Sequence, residues 1–81
     1  MAGTMITLDQ LSPQQTAHVH QILIDGSLRQ RLDDLGLIEG TRISCRMIAP
    51  GGSPAAYEFR GAVVALRRCD ASRILCARED S

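Results

Sequence analysis

Eighty-one residues suffice for one small domain, 1–81, and a chain of this size buries only about three-fifths of its unfolded surface. Nine arginines, no lysine and nine acidic residues cancel to zero net charge, which argues against a dedicated nucleic-acid binder, since those carry a basic excess. Three cysteines with no C-x-x-C pair argue against a disulfide framework and for reduced thiols, and no apolar run approaches the ~20 residues of a membrane span.

Taken in order, Met1 to Thr4 is expected to fray. Ile6, Leu8 and Leu11 are apolar anchors for the N-terminus, and Ser12-Pro13 is a turn or a short helix start. The first 25 or so residues lack the charged and apolar blocks of a signal peptide. Thr16 to Ile24 is β-branched and apolar and predicts a strand. Ala17 and Val19 share one face while Ile22 and Ile24 share the other, which calls for a bulge or twist midway. Asp25-Gly26 ends that strand. Ser27 then predicts a helix N-cap, with Gln30 completing a capping box. Leu28, Leu32 and Leu35 lie on one helical face. Gly36 supplies a left-handed stop, with Leu37 placed for the apolar contact of a Schellman end.

Glu39-Gly40 reads as a tight turn in which Gly40 takes positive φ. Thr41 to Ile48 alternates cleanly: Ile43, Cys45 and Met47 point one way, Arg42, Ser44 and Arg46 the other, as in a half-buried antiparallel strand. Ala49, Pro50, Gly51, Gly52, Ser53 and Pro54 form a loop that proline and glycine keep out of any ladder. Ala55 to Arg60 is a strand with Tyr57 and Phe59 on its inner face. Gly61 permits a hairpin turn, and Ala62 to Arg67 follows with Val64 and Leu66 inward. Asp70 can cap one helical turn through Arg73, Ile74 to Arg78 is a last short strand, and Glu79-Asp80-Ser81 is a polar tail. The fold class is therefore mainly β with one or two short helices. Its five strands and inserted helix suggest a small, partly open β-barrel whose interior the leucine face covers.

Little in the chain carries chemistry. His18 and His20 project to one side of an extended strand, so a metal could be shared between them, with Cys69 as a distant third candidate. No third ligand stands near in sequence, and the plain reading is two solvated histidines and no metal site. Cys45 and Cys76 fall on core positions, and Cys69 between Arg68 and Asp70 is the exposed thiol, with no base to activate it. Asp33-Asp34 and Glu39 spread around the helix axis as a solvated face. Gly51-Gly52 precedes no helix, so phosphate-loop and dinucleotide fingerprints fail. One tyrosine, one phenylalanine and no tryptophan make no stacking platform for bases. The residues imply neither an enzyme nor a cofactor.

The ordered set Arg31-Leu32-Asp33-Asp34-Leu35-Gly36-Leu37-Ile38-Glu39-Gly40, then Ala49 to Pro54, then Val64-Ala65-Leu66-Arg67 and the Ala71 to Ile74 turn resembles the FeoA family. It follows that family's pattern of R-L-x-x-L-G-(apolar)-x-P-G, A-P-x-G-D-P and L-x-L-R over roughly residues 8–78. Glu39 stands where the family usually has proline, Ser53 where it has aspartate, and Gly51 where it often has leucine. The resemblance implies an SH3-like barrel that acts by binding the cytoplasmic GTPase part of a FeoB-type ferrous-iron transporter. The protein would then be cytoplasmic, or peripheral to the inner membrane through its partner, without inserting itself. The loop 49–54 is the expected contact. Two other readings stand beside this one. The first is direct metal binding or sensing through His18, His20 and Cys69. The second is a small RNA-binding barrel, which would need Arg29, Arg42, Arg46, Arg60 and Arg67 on one patch. The sequence leaves the oligomeric state open.

Overall fold

The computed structural model describes residues 4–79; of the start expected to fray over Met1 to Thr4, the first three residues lie outside them, as do the last two of the polar tail, while Thr4 is not frayed but opens a strand. The strands are β1 (Thr4–Thr7), β2 (Thr16–Ile22), β3 (Arg42–Ile48), β4 (Ala55–Phe59), β5 (Ala62–Leu66) and β6 (Ile74–Arg78). The helices are α1 (Gly26–Asp34) and α2 (Arg68–Ala71), and a single 3-10 turn spans Leu8–Gln10. All six strands join one antiparallel sheet in the order β1-β6-β2-β3-β4-β5, which does not close, so β1 and β5 are its edges. The sequence predicts five strands. The sixth is β1, which begins at Thr4 and pairs with β6 from Thr4–Arg78 to Thr7–Leu75. Its Thr-Met-Ile-Thr carries too little alternation to announce a strand, and pairing supplies what the pattern lacks.

Two bulges decide which side chains reach the core. The first shifts the β2–β6 register between Val19 and Gln21. His20 is the extra residue, so Ala17 and Val19 before it and Ile22 after it are all buried. That is the midway bulge the pattern asks for, although the strand ends at Ile22 rather than Ile24. Ile24 is still buried, in the link to α1. The second bulge, between Cys45 and Met47 in the β3–β4 register, was invisible in the sequence. Ile43 and Cys45 are buried as expected, but Met47 is 62% exposed instead of sharing their face, because the extra residue Arg46 inverts the alternation beyond it.

The start of α1 also differs from expectation. Asp25, not Ser27, is the N-cap; it is extended and makes no side-chain bond to the helix. Gly26 at φ +73° turns the corner, so the helix begins two residues early and Ser27 is left exposed inside the first turn. The end is a full Schellman motif. Leu37 N–H donates to Leu32 O and Gly36 N–H to Asp33 O, each at 2.9 Å, with Gly36 at φ +96°. Leu32 and Leu37 are fully buried and Leu28 is half-buried. Leu35 does not join their face: it is the C-cap and is exposed, because the chain leaves the helical path there and Leu37 takes the inner place. Helix α2 begins two residues before the predicted turn, with Arg67 as N-cap and Asp70 inside its first turn.

Candidate functional site

The loop 49–54 projects from the end of the β3–β4 pair and is tied down from three directions. Ala49 N–H donates to Pro54 O and Gly52 N–H to Ala49 O, both at 2.9 Å. The Ser53 hydroxyl accepts from Arg68 N–H at 3.0 Å, and the Arg68 guanidinium donates to Gly51 O at 3.3 Å. Ser53 thus performs the capping of α2 that the sequence reading assigned to Asp70. Gly51 and Gly52 lie at φ +88° and +92°, a region that L side chains rarely adopt. A Cβ on Gly52 would also run into the Arg68 guanidinium. Pro50 and Pro54 are exposed. The loop is a held shape that offers backbone and two proline rings to a partner.

The helix–barrel junction, at the other end of β4 from the loop, centres on the Gly36 carbonyl. That oxygen accepts from the Thr41 hydroxyl at 3.2 Å and from Arg60 Nε at 3.0 Å. The same Thr41 hydroxyl accepts from Ile38 N–H at 3.0 Å, which satisfies a polar side chain buried in the core region. Gly40, at φ +90°, donates its N–H to Val19 O at 2.7 Å, so the turn reaches β2 with glutamate at position 39.

The five arginines do not form one patch. Arg42, Arg46 and Arg60 line a shallow groove of about 390 Å³ with Ser44 and Glu58. Arg46 pairs with Glu58 at 3.0 Å and Arg42 with Glu79 at 3.1 Å, and Arg42 holds the exposed Glu79 carboxyl below its ordinary range. Arg29 is elsewhere and is structural. Its guanidinium donates to Ile22 O at 3.0 Å and Ile24 O at 3.2 Å, and pairs with Asp33 at 3.3 Å, clamping α1 to the end of β2. Arg67 follows β5, at the far end of the hairpin from Arg60. The single basic patch that RNA recognition asks for is therefore broken up, because Arg29 is spent on backbone carbonyls.

His18 and His20 are exposed, and His18 faces Glu79 at 3.5 Å. Cys69 is exposed on α2 and does not join them. Among the described residues no three His, Cys, Asp or Glu side chains are grouped to hold a metal. Burial pushes the Cys76 thiol up to about 12 and raises the Cys45 thiol. The roles of Ser53 and Arg68 escaped sequence reasoning because each acts on a backbone group far off in the chain; those of Thr41 and Arg29 act on nearer backbone groups that no side-chain pattern marks.

The chain matches the FeoA domain family over residues 6–78. No curated protein sequence matches it. Among solved structures, the FeoA protein of Chlorobium tepidum is 28% identical with a TM-score of 0.86, over 93% of this chain and 71% of that one. The FeoA-like protein of Clostridium acetobutylicum is 28% identical with a TM-score of 0.80, over 95% and 90%. The zinc complex of Stenotrophomonas maltophilia FeoA is 27% identical with a TM-score of 0.74, over 91% and 95%. That protein is described as a prokaryotic SH3 domain and a candidate activating factor of bacterial ferrous-iron transport. The open six-stranded sheet is accordingly SH3-like.

Proposed function

The chain belongs to the FeoA family, and on that premise we propose that it is a non-catalytic adaptor of ferrous-iron transport that binds the cytoplasmic GTPase part of a FeoB-type transporter. The observation that carries this reading is the loop 49–54, held in one shape by Ser53 and Arg68 while Pro50 and Pro54 stay exposed. A loop ordered before contact loses little entropy on docking. No helix among the described residues is long and apolar enough to cross a membrane, in keeping with a protein that meets the transporter from the cytoplasmic side. The chain itself is read as holding no resident metal or cofactor.

Capture of the transporter's purified cytoplasmic domain tests this reading. Substituting Gly51 or Gly52 confounds docking with strain, given their positive φ. Pro50→Asp avoids that strain: the ring is exposed, and its loss costs only about 0.4–1 kcal/mol through the freer unfolded chain. The expected result is a folded protein that melts slightly lower than the wild type and has lost capture. Wild-type capture by Pro50→Asp removes the loop from the interface, and no capture by the wild-type chain removes the adaptor reading.

A further inference from the structure

We propose that the free edge of β5 accepts an extended peptide as a seventh strand, and that the peptide it fits has an apolar, alternating centre with a carboxylate at each end. The proposal stands independently of which protein the chain serves. Strand β5 pairs with β4 alone. The turn between them is the dipeptide Arg60-Gly61, with φ of +50° and +80°, the signature of a type I′ hairpin. In such a hairpin the closing pair, here Phe59–Ala62, exchanges both backbone bonds, and the pattern then alternates. Tyr57–Val64 and Ala55–Leu66 belong to the same bonded class. The N–H and C=O groups of Val63 and Ala65 therefore point away from β4. Both residues are exposed, Val63 at 63%, so nothing in the fold covers that row of donors and acceptors.

Edge strands are usually guarded by charge, proline or a bulge. Ala62-Val63-Val64-Ala65-Leu66 has no charged residue and no proline, and its register with β4 is unbroken. The charges stand at its two ends instead: Arg60 before it, Arg67 and Arg68 after it. Among the described residues no carboxylate pairs with any of the three, whereas Arg29, Arg42 and Arg46 are paired with Asp33, Glu79 and Glu58. Arg60 and Arg68 donate to the carbonyls of Gly36 and Gly51, which fixes their directions without neutralising them.

This arrangement chooses its occupant. A second copy pairing antiparallel about Val64 would set Val63 against Ala65, which is sterically acceptable, but would bring the turn that carries Arg60 in each copy up to the Arg67-Arg68 end of the other. Like charges directly opposed are unfavourable, so the arginines turn away another β5. The same charges attract a strand that ends in Asp or Glu on both sides. From Ala62 to Arg67 the strand advances roughly 17 Å at about 3.3 Å per residue, and Arg60 stands in the turn beyond Ala62, so carboxylates about seven residues apart reach past both ends. The Arg68 end of the edge abuts the loop 49–54 through the Arg68 bond to Gly51, which makes the two surfaces continuous.

The test uses the full chain and the octapeptide Glu-Thr-Val-Thr-Val-Thr-Val-Glu, with a control peptide ending in lysines. Amide hydrogen exchange is read by NMR. On adding the acidic peptide, the Val63 and Ala65 amides should slow by about tenfold or more while Val64, already bonded to β4, does not change. The lysine-ended control should have no effect. Ala65→Pro removes one outward N–H and no β4 bond, so binding should be lost in a protein that melts like the wild type. Arg67→Glu, at an exposed residue, should weaken the acidic peptide about tenfold and admit the lysine-ended one. Unchanged exchange at Val63 and Ala65 under millimolar peptide overturns the proposal. So does equal binding of the two peptides, and so does a sedimenting dimer that Ala65→Pro dissolves.

Discussion

Gly36 shows how much one backbone position can decide. It ends α1, releases Leu37 into the core and offers its carbonyl to Thr41 and Arg60. Its φ of +96° excludes a β-branched residue, and an added Cβ would lie 2.7 Å from Arg60 Cδ. Gly36→Val should therefore cost more than the ~1–2 kcal/mol of a left-handed L residue, since Arg60 must also leave its carbonyl. A urea midpoint equal to that of the wild type would disprove this. The buried thiols act at the same scale. Burial moves Cys76 from 9.0 and Tyr57 from 10.0, each up to about 12. The folded protein keeps both protons at a pH where the unfolded chain has lost them. Stability is therefore complete below pH 9 and falls as pH rises from about 9 toward 12. Melting curves between pH 7 and pH 11 should show that decline, about 9 being its onset, and Cys76→Ala should make it shallower while the Tyr57 part remains. A decline of the same depth in Cys76→Ala would assign it to other groups.

The elements differ in how far they could be read from sequence, for physical reasons. The end of α1 was legible because a Schellman motif is local: Gly36, Leu37 and Leu32 lie within six residues. The bulge of β2 was legible because its apolar residues change face halfway. The bulge of β3 was not, because Arg46 and Met47 continue a perfect alternation that only the pairing with β4 interrupts. The cap of α2 was unreadable for the same reason. Its acceptor, Ser53, lies fifteen residues upstream of the amide it serves. That contact also gives physical sense to a departure from the family pattern, since an aspartate in place of Ser53 would set a full negative charge at the start of α2. Ser53→Ala should cost about 1 kcal/mol, and Ser53→Asp should be neutral or stabilising. If thermal melting ranks Asp below Ala, the hydroxyl is not acting as a cap.

At the scale of the whole molecule, stability is small enough for one side chain to decide whether the chain folds. At about 0.05–0.15 kcal/mol per residue, 81 residues amount to roughly 4–12 kcal/mol. Leu32 is the only side chain of α1 that is fully buried; Leu28 lies at the margin and Leu35 outside. The helix is thus joined to the sheet through one leucine, the Arg29 clamp to Ile22 and Ile24, and the Gly36 carbonyl. Removing Leu32 leaves a cavity under a helix that cannot collapse into it, because Leu37 and the Schellman bonds hold the far end in place. Leu32→Ala should cost about 2–5 kcal/mol, from about a sixth of the total to all of it, whereas Leu35→Ala should stay below about 1 kcal/mol. The two variants remove the same atoms three residues apart, Leu32 inside α1 and Leu35 at its C-cap, so the difference between them reports chiefly burial. Denaturant titrations that bring the two midpoints together would mean that α1 packs on a face other than the one Leu32 occupies. The site built around its C-terminus would then have to be redrawn.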